Sequence, residues 1–235
     1  MIVLVEGPDN SGKGTQITRI KKWMEENVGP THYFHYSNIK GIPNFGTYIE
    51  DHYMNGEGMR QLTKNEKIKL ASVSLYKQMF DIMKMAAENE INLILDRAHL
   101  GETVYSPLYR EYEGDFVWVM EHAYSTNIEG DPTEKIKNNE SVFSVNNAWY
   151  DTKLFVFYDL PENLIKRDDG LSFSTDIVKK TDEVERFKKA FKKSCLYKSL
   201  ICIDGMDEHE VWLNAVLPHL EKENELTDYY KEFFK

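Results

Sequence analysis

Near the start of the chain, "VEGPDNSGKGTQ" (Val5 to Gln16) sets Gly7 and Gly12 five apart, followed by Lys13, Gly14 and Thr15. Glycines at this spacing let a backbone curl so that successive N–H groups converge on an anion. An adjoining helix N-terminus adds its positive end, and a lysine adds a full charge. The segments on either side fit this. "MIVLVE" is a short apolar, β-branched run that reads as a buried strand. "TQITRIKKWMEENVG" places Ile17, Ile20, Trp23 and Met24 on one face and is stopped by Gly29-Pro30, the pattern of an amphipathic helix. Strand, glycine loop and helix together are the setting of a phosphate-binding P-loop, with Gly7, Asn10, Ser11, Gly12, Lys13, Gly14 and Thr15 as its candidate phosphate contacts. Lys13 would reach the β- and γ-phosphates.

A second stretch, "INLILDRAHLGETVYSPLYR", carries a strand that ends in Asp96 and is followed by Arg97. A carboxylate at that place can hold Mg²⁺ or its waters beside phosphates. Arginine binds two phosphate oxygens through its planar fork. P-loops usually follow the lysine with a hydroxyl residue that ligates Mg²⁺. Here Gly14 stands there and Thr15 comes one later, an order that resembles adenylate kinases. Asp96, acting through water, therefore carries most of the expected metal binding and Thr15 little.

Further apolar runs at "HYFHYS", "KLFVFYDL" and "SLICID" bring the strands to five, separated by helical stretches. That alternation predicts an α/β fold: a five-stranded parallel sheet with helices on both faces and ligands at the carboxyl ends of the strands. "TKNEKIKLASVSLYKQMFDIMKMAAENE" reads as one long helix or two abutting ones. The tail from His209 reads as helix with a break near Pro218. Residues 110–151 are less periodic and read as an insertion, holding one helix around "DFVWVMEHAY" and then a polar loop.

At 235 residues the chain suits a single domain, and no apolar run approaches the ~20 residues of a membrane span. Its net charge of −10 argues against stable nucleic-acid binding. Cys195 and Cys202 match no metal spacing and read as buried free thiols, which suits a reducing, cytoplasmic setting.

On "EGPDNSGKGTQ", "LDRAHLGETVY" and the order of five strands, the chain resembles the thymidylate kinase family of nucleoside monophosphate kinases, in a form similar to bacteriophage deoxynucleotide kinases. The resemblance spans nearly the whole chain. It implies the P-loop kinase fold with a mobile lid, ATP as phosphoryl donor, Mg²⁺, a deoxynucleoside monophosphate acceptor such as dTMP, and a homodimer. It makes Lys13 the P-loop lysine, Asp9 the acid that contacts the acceptor's 3′-hydroxyl, Asp96 the Mg²⁺-linked acid and Arg97 an arginine on the phosphates. Tyr105 becomes an aromatic beside the acceptor, though core packing accounts for it equally. Phe45 and Tyr48 are further candidates for the acceptor pocket.

Several family features are missing. After the second strand, where an arginine should bind the acceptor phosphate, "YSNIKG" offers only Lys40. In the helix before the third strand, the thymine-reading arginine is replaced by Leu75 or Tyr76, with Lys77 and Gln78 just beyond. Some family members carry a catalytic arginine inside the P-loop, at the position of Asn10, so a cation must come from elsewhere. The lid expected over residues 166–186 supplies candidates. From Ile177 to Lys198 the chain carries a net +5. Arg167 and Arg186 lead, with Lys179 and Lys180 behind them. Two other readings stay open: a P-loop kinase acting on a nucleoside or a modified base, and a nucleotide-binding regulator without turnover.

Overall fold

The computed structural model describes residues 1–35, 63–127, 144–145, 152–170 and 172–222. The sheet is built from β1 (Ile2–Glu6), β2 (Thr31–His35), β3 (Asn92–Asp96), β6 (Thr152–Tyr158) and β7 (Tyr197–Cys202). Every pairing is parallel and the order is β2-β3-β1-β6-β7. A two-stranded antiparallel ribbon, β4 (Thr126–Asn127) with β5 (Ser144–Val145), lies outside it.

Side-chain alternation along β1 divides the core in two. Ile2 and Leu4 face α2 (Lys64–Glu88), α3 (Leu100–Tyr109) and α6 (Ile177–Lys193), through residues such as Met79, Met83, Val104 and Phe187. Val3 and Val5 face α1 (Lys13–Asn27) and the C-terminal helices, through Ile17, Ile20, Met24, Val216 and Leu220. The central strands β1 and β3 are buried throughout because both sheet faces are covered. α4 (Phe116–Ser125) forms the helix expected within 110–151, and α5 (Pro161–Lys166) follows β6.

The long helical stretch is one helix, α2, opened by a reciprocal capping box between Thr63 and Glu66. In the tail, α7 (Glu208–Val211) passes through a π-helical turn (Trp212–Val216) into α8 (Leu217–Glu221). The expected break near Pro218 is thus a widened turn, placed just before a residue that has no N–H to donate. At the C-terminal end of α8, three carbonyls that no helical N–H reaches are bound by one side chain. Lys153, buried on β6, donates to His219 O (2.9 Å), Leu220 O (2.8 Å) and Lys222 O (2.7 Å).

Two expectations need correcting. The cysteines are free, but Cys195 is exposed and Cys202 half-buried. Cys195 lies in the turn after α6 and Cys202 ends an edge strand, so neither reaches the core. Lys180 is not a lid cation facing solvent. It is 1% exposed and pairs with Glu183 at 2.8 Å, because its position falls on the inward stripe of α6 with Val184 and Phe187.

Replacing Lys153 with Met keeps the stem but removes the shared donor. With its hydrogen bonds to the end of α8 gone, stability falls by about 2 kcal/mol in urea unfolding. An unchanged midpoint would show that water satisfies those carbonyls equally well.

Candidate active site

β1 and β3 are neighbours, and their register sets Val5 opposite Asp96. The loop after β1 and the "DRAH" segment after β3 therefore emerge side by side at the carboxyl edge. Arg97 is held in the left-handed region (φ 65°), its N–H bonded to Val5 O at 2.9 Å. A non-glycine residue kept there costs about 1–2 kcal/mol, which the pairing must overcome.

The glycine loop shows positive φ at Gly7 (134°), Asn10 (66°) and Gly12 (74°). Gly7 has no alternative: a Cβ there would stand 2.0 Å from the Phe157 carbonyl oxygen. Gly12 caps α1 without a side-chain hydrogen bond, and no acid lies in the first helical turn. The N-terminal amides of α1 are thus left without a competing carboxylate, as an anion site requires. Ser11 Oγ donates to Pro8 O at 2.8 Å and braces the loop. Lys13 crosses it, donating to Gly7 O at 2.9 Å, Pro8 O at 2.5 Å and Ser11 Oγ at 3.4 Å. Burial and then the neighbouring Arg97 pull its pKa down to about 8, against the attraction of Asp9, Asp96 and Glu6. Gly14 and Thr15 are exposed on the first turn of α1.

Arg97 Nη2 pairs with Asp9 Oδ1. Asp9 and Asp96 raise the arginine's pKa against the opposing effect of burial. Arg97 Nε and Tyr105 Oη are buried with no hydrogen-bond partner among the described residues. Both belong to the same small region, since Tyr105 interacts electrostatically with Asp9 and Arg97. The Tyr105 ring packs on Tyr109, Phe173 and Phe187, with centroids 5.1–6.3 Å apart. Asp96 is 8% exposed and accepts from Tyr33 Oη at 3.0 Å, with His35 Nε2 at 3.4 Å.

Glu6 escaped sequence reasoning. Its buried carboxylate accepts backbone N–H groups of Ala98 (2.9 Å), Leu100 (2.9 Å) and Gly101 (3.4 Å), fastening the start of α3 to the end of β1. Burial pushes its pKa up, opposed by His99 and these amides. Asp159 was missed too. It follows β6 directly, accepts from Asn163 Nδ2 at 3.0 Å and pairs with Arg167. In both cases the available signal was an acid at or just past the end of an apolar strand.

The expected lid residues are engaged locally. Arg167 is held by Asp159 and by Asn163 O (3.2 Å), and Arg186 Nε by Asp182 (3.0 Å) on the same helix. Asn10 Nδ2 contacts Leu164 O (3.4 Å), Asp168 Oδ1 (3.4 Å) and Ser172 Oγ (3.1 Å), so the P-loop touches this segment directly. Lys77 pairs with Asp81 at 2.6 Å, and Gln78 bonds Ser74 at 3.4 Å, both on the exposed side of α2. Lys40, Phe45 and Tyr48 lie outside the described residues. Among the described residues, no group of three His, Cys, Asp or Glu side chains is placed to hold a metal ion. No helix among them is long and apolar enough to cross a membrane.

A buried parallel strand, a loop of this conformation, a helix free of side-chain caps and an acid ending the adjacent strand define a P-loop nucleotide-binding protein. The thymidylate kinase family model matches residues 5–126, more than half of the chain. The chain belongs to the thymidylate kinase family, and so to the nucleotide kinases. Among solved structures, the thymidylate kinase of Candida albicans superimposes with a TM-score of 0.54 at 13% identity, over 98% of this chain and 92% of that one. The YorR protein of Bacillus subtilis, in complex with phosphorylated GDP, gives 0.50 at 14% identity, over 90% and 91%. At these identities the likeness is one of fold. No curated protein sequence matches the chain.

If Lys13 is a phosphate-binding cation, its depressed pKa makes nucleotide binding pH-dependent. The ammonium loses its proton as pH rises through about 8 in the free protein, while phosphate contact favours the charged form. ATP affinity should therefore fall about tenfold between pH 7 and pH 9 by titration calorimetry. A flat profile would show that Lys13 is not the binding cation.

Proposed function

We propose that this protein transfers the γ-phosphoryl group of ATP to a deoxynucleoside monophosphate, dTMP or a related pyrimidine nucleotide. The observation that carries the reading is the adjacency of two polar half-sites. The Lys13 loop ends β1, and the Asp9–Arg97 pair lies beside it, with Arg97 Nε and Tyr105 Oη buried and unpartnered among the described residues. A protein that only bound nucleotide would have no use for the second half.

In this reading the loop amides and Lys13 hold the β- and γ-phosphates. Arg97 bridges the transferring group and the acceptor phosphate, exchanging part of its contact with Asp9 for phosphate oxygens. Asp9 then meets the acceptor's 3′-hydroxyl, and Tyr105 flanks the sugar. An acceptor phosphate oxygen attacks the γ-phosphorus, the bond to the β–γ bridging oxygen breaks, and ADP leaves. Such transfer depends on in-line positioning and charge neutralisation more than on covalent help. Asp96 fits Mg²⁺, which takes one or two carboxylates and otherwise water and phosphate oxygens. Asp96 would hold it, largely through water, with Thr15 a minor contributor, and when bound it neutralises charge on the nucleotide phosphates.

Residues 166–186 act as the lid of a single kinase domain. Asn10 already links the P-loop to this segment, and closure would bring Arg167 or Arg186 to the phosphates after release from Asp159 or Asp182. Closure also excludes water that would hydrolyse ATP.

Two variants test the division of roles. Lys13→Ala should lower kcat at least ~10²-fold without loss of fold, since one well-placed cation contributes a few kcal/mol to the transition state. Asp9→Ala should raise KM for the acceptor while ATP affinity stays within about twofold. Full turnover in the first, or equal loss of ATP binding in the second, would contradict the assignment.

A further inference from the structure

A second buried carboxylate grips the segment after β3, outside both half-sites. Glu121 on α4 is 2% exposed. Its Oε1 accepts the Cys195 amide at 2.7 Å and its Oε2 accepts Ser194 Oγ at 2.9 Å, both in the turn that ends α6. The same Oε2 pairs with Nε2 of His99, which is 0% exposed. Burial pushes the Glu121 carboxyl up, but its contacts with His99 and Cys195 outweigh this and hold its pKa down to about 2. It is therefore a carboxylate that can only accept, and His99 Nε2 is the donor.

Packing does not call for a histidine there. His99 faces the rings of Phe80 and Trp118, with centroids 5.1 and 6.1 Å away, and its Nδ1 is buried with no hydrogen-bond partner among the described residues. Apolar side chains of similar volume often replace such a buried pair with no loss of stability. What the pair adds is a fixed point. Glu6 binds the amides of Ala98, Leu100 and Gly101 through one oxygen, Oε1. Bonds that converge on one atom set the path of the turn but leave it able to rock about that atom. His99, between two of those amides, ties the turn to a second anchor on different elements. Arg97, two residues before it, sits in the left-handed region at φ 65°, a conformation that persists only where surrounding contacts hold it.

Building on the kinase reading, we propose that His99 is a positioning residue: held by Glu121, it keeps Arg97 where its guanidinium meets the transferring and acceptor phosphates. Phosphoryl transfer is sensitive to such placement, since a misplacement of about 1 Å can cost ~10²-fold in rate. In the same reading ATP is held mainly by the loop amides and Lys13, which this tie does not touch.

The test measures kcat, KM for the acceptor and Kd for ATP in the wild type, His99→Leu, His99→Gln and Glu121→Gln. The acceptor is whichever of dAMP, dCMP, dGMP, dTMP and dUMP the wild type phosphorylates fastest. Leucine fills the site but cannot donate, whereas glutamine keeps an N–H near the place of Nε2. His99→Leu should lower kcat/KM for the acceptor at least ~10-fold with Kd for ATP within about threefold, and His99→Gln should recover most of the loss. In an Arg97→Lys background, His99→Leu should cost no more than about twofold, because effects of residues that act through one another do not add. A merely structural lesion would cost the same factor in both backgrounds. Glu121→Gln, which keeps an oxygen for the Cys195 amide, decides the matter if His99→Leu does not fold. It should lower the same kcat/KM about threefold, and again only with Arg97 in place. Wild-type kcat/KM in the deciding variant, or an equal loss in both backgrounds, overturns the inference alone. A wild type that phosphorylates none of the five nucleotides overturns the kinase reading and this inference with it.

Discussion

The site depends on one buried carboxylate. Glu6 is the last residue of β1, and its side chain accepts three backbone amides from the segment that opens α3. The β1–β3 register brings Asp96 level with Val5, but register alone leaves the chain after Asp96 free to turn in several directions. The Glu6 carboxylate selects one of them. Arg97 is then fixed with φ 65° above the loop, and α3 leaves the sheet at a defined angle carrying Tyr105 and Ser106. Glu6 thus ties the strand that leads into the P-loop to the segment that carries Arg97 and Tyr105.

Around that tie the charges compensate one another. Lys13 and Arg97 are the local cations, and Asp9, Asp96 and Glu6 the anions that act on Lys13. Lys13 is occupied by loop carbonyls, Arg97 by Asp9 and Arg167 by Asp159. Each cation that phosphate would need already has a protein oxygen as partner. In the proposed reading, binding is an exchange of partners, which keeps the added desolvation of these groups small. Asn10 extends the linkage to the segment after α5, so that movement of that segment is felt at the P-loop.

The five strands and the P-loop were legible in the sequence because they depend on local signals: short apolar runs, and glycines at fixed spacing between strand and helix. The placement of Asp96 and Arg97 at the end of β3 was legible for the same reason. What could not be read depends on contacts between distant residues. Glu6 looked like the polar end of a strand, and only the fold brings it to Ala98. Lys180 was counted with its basic neighbours, although the 3.6-residue period sets it with Val184 and Phe187. The cysteines were judged by apolar company in sequence, which does not distinguish a central strand from an edge. Glu102 and Arg110 stand eight apart and meet only because α3 ends where it does, with Tyr112 folding back to Ser72. The aromatic layer of Tyr105, Tyr109 and Phe173 likewise joins α3 to the segment before α6.

The central claim is that the two half-sites exchange a phosphoryl group. It is tested most directly by following the label from [γ-³²P]ATP in the presence of Mg²⁺ and dTMP. The account predicts labelled dTDP formed in step with ADP, with negligible labelled inorganic phosphate, because the acceptor oxygen and not water attacks the γ-phosphorus. ADP appearing with free labelled phosphate alone, or no transfer to any deoxynucleoside monophosphate, would contradict it.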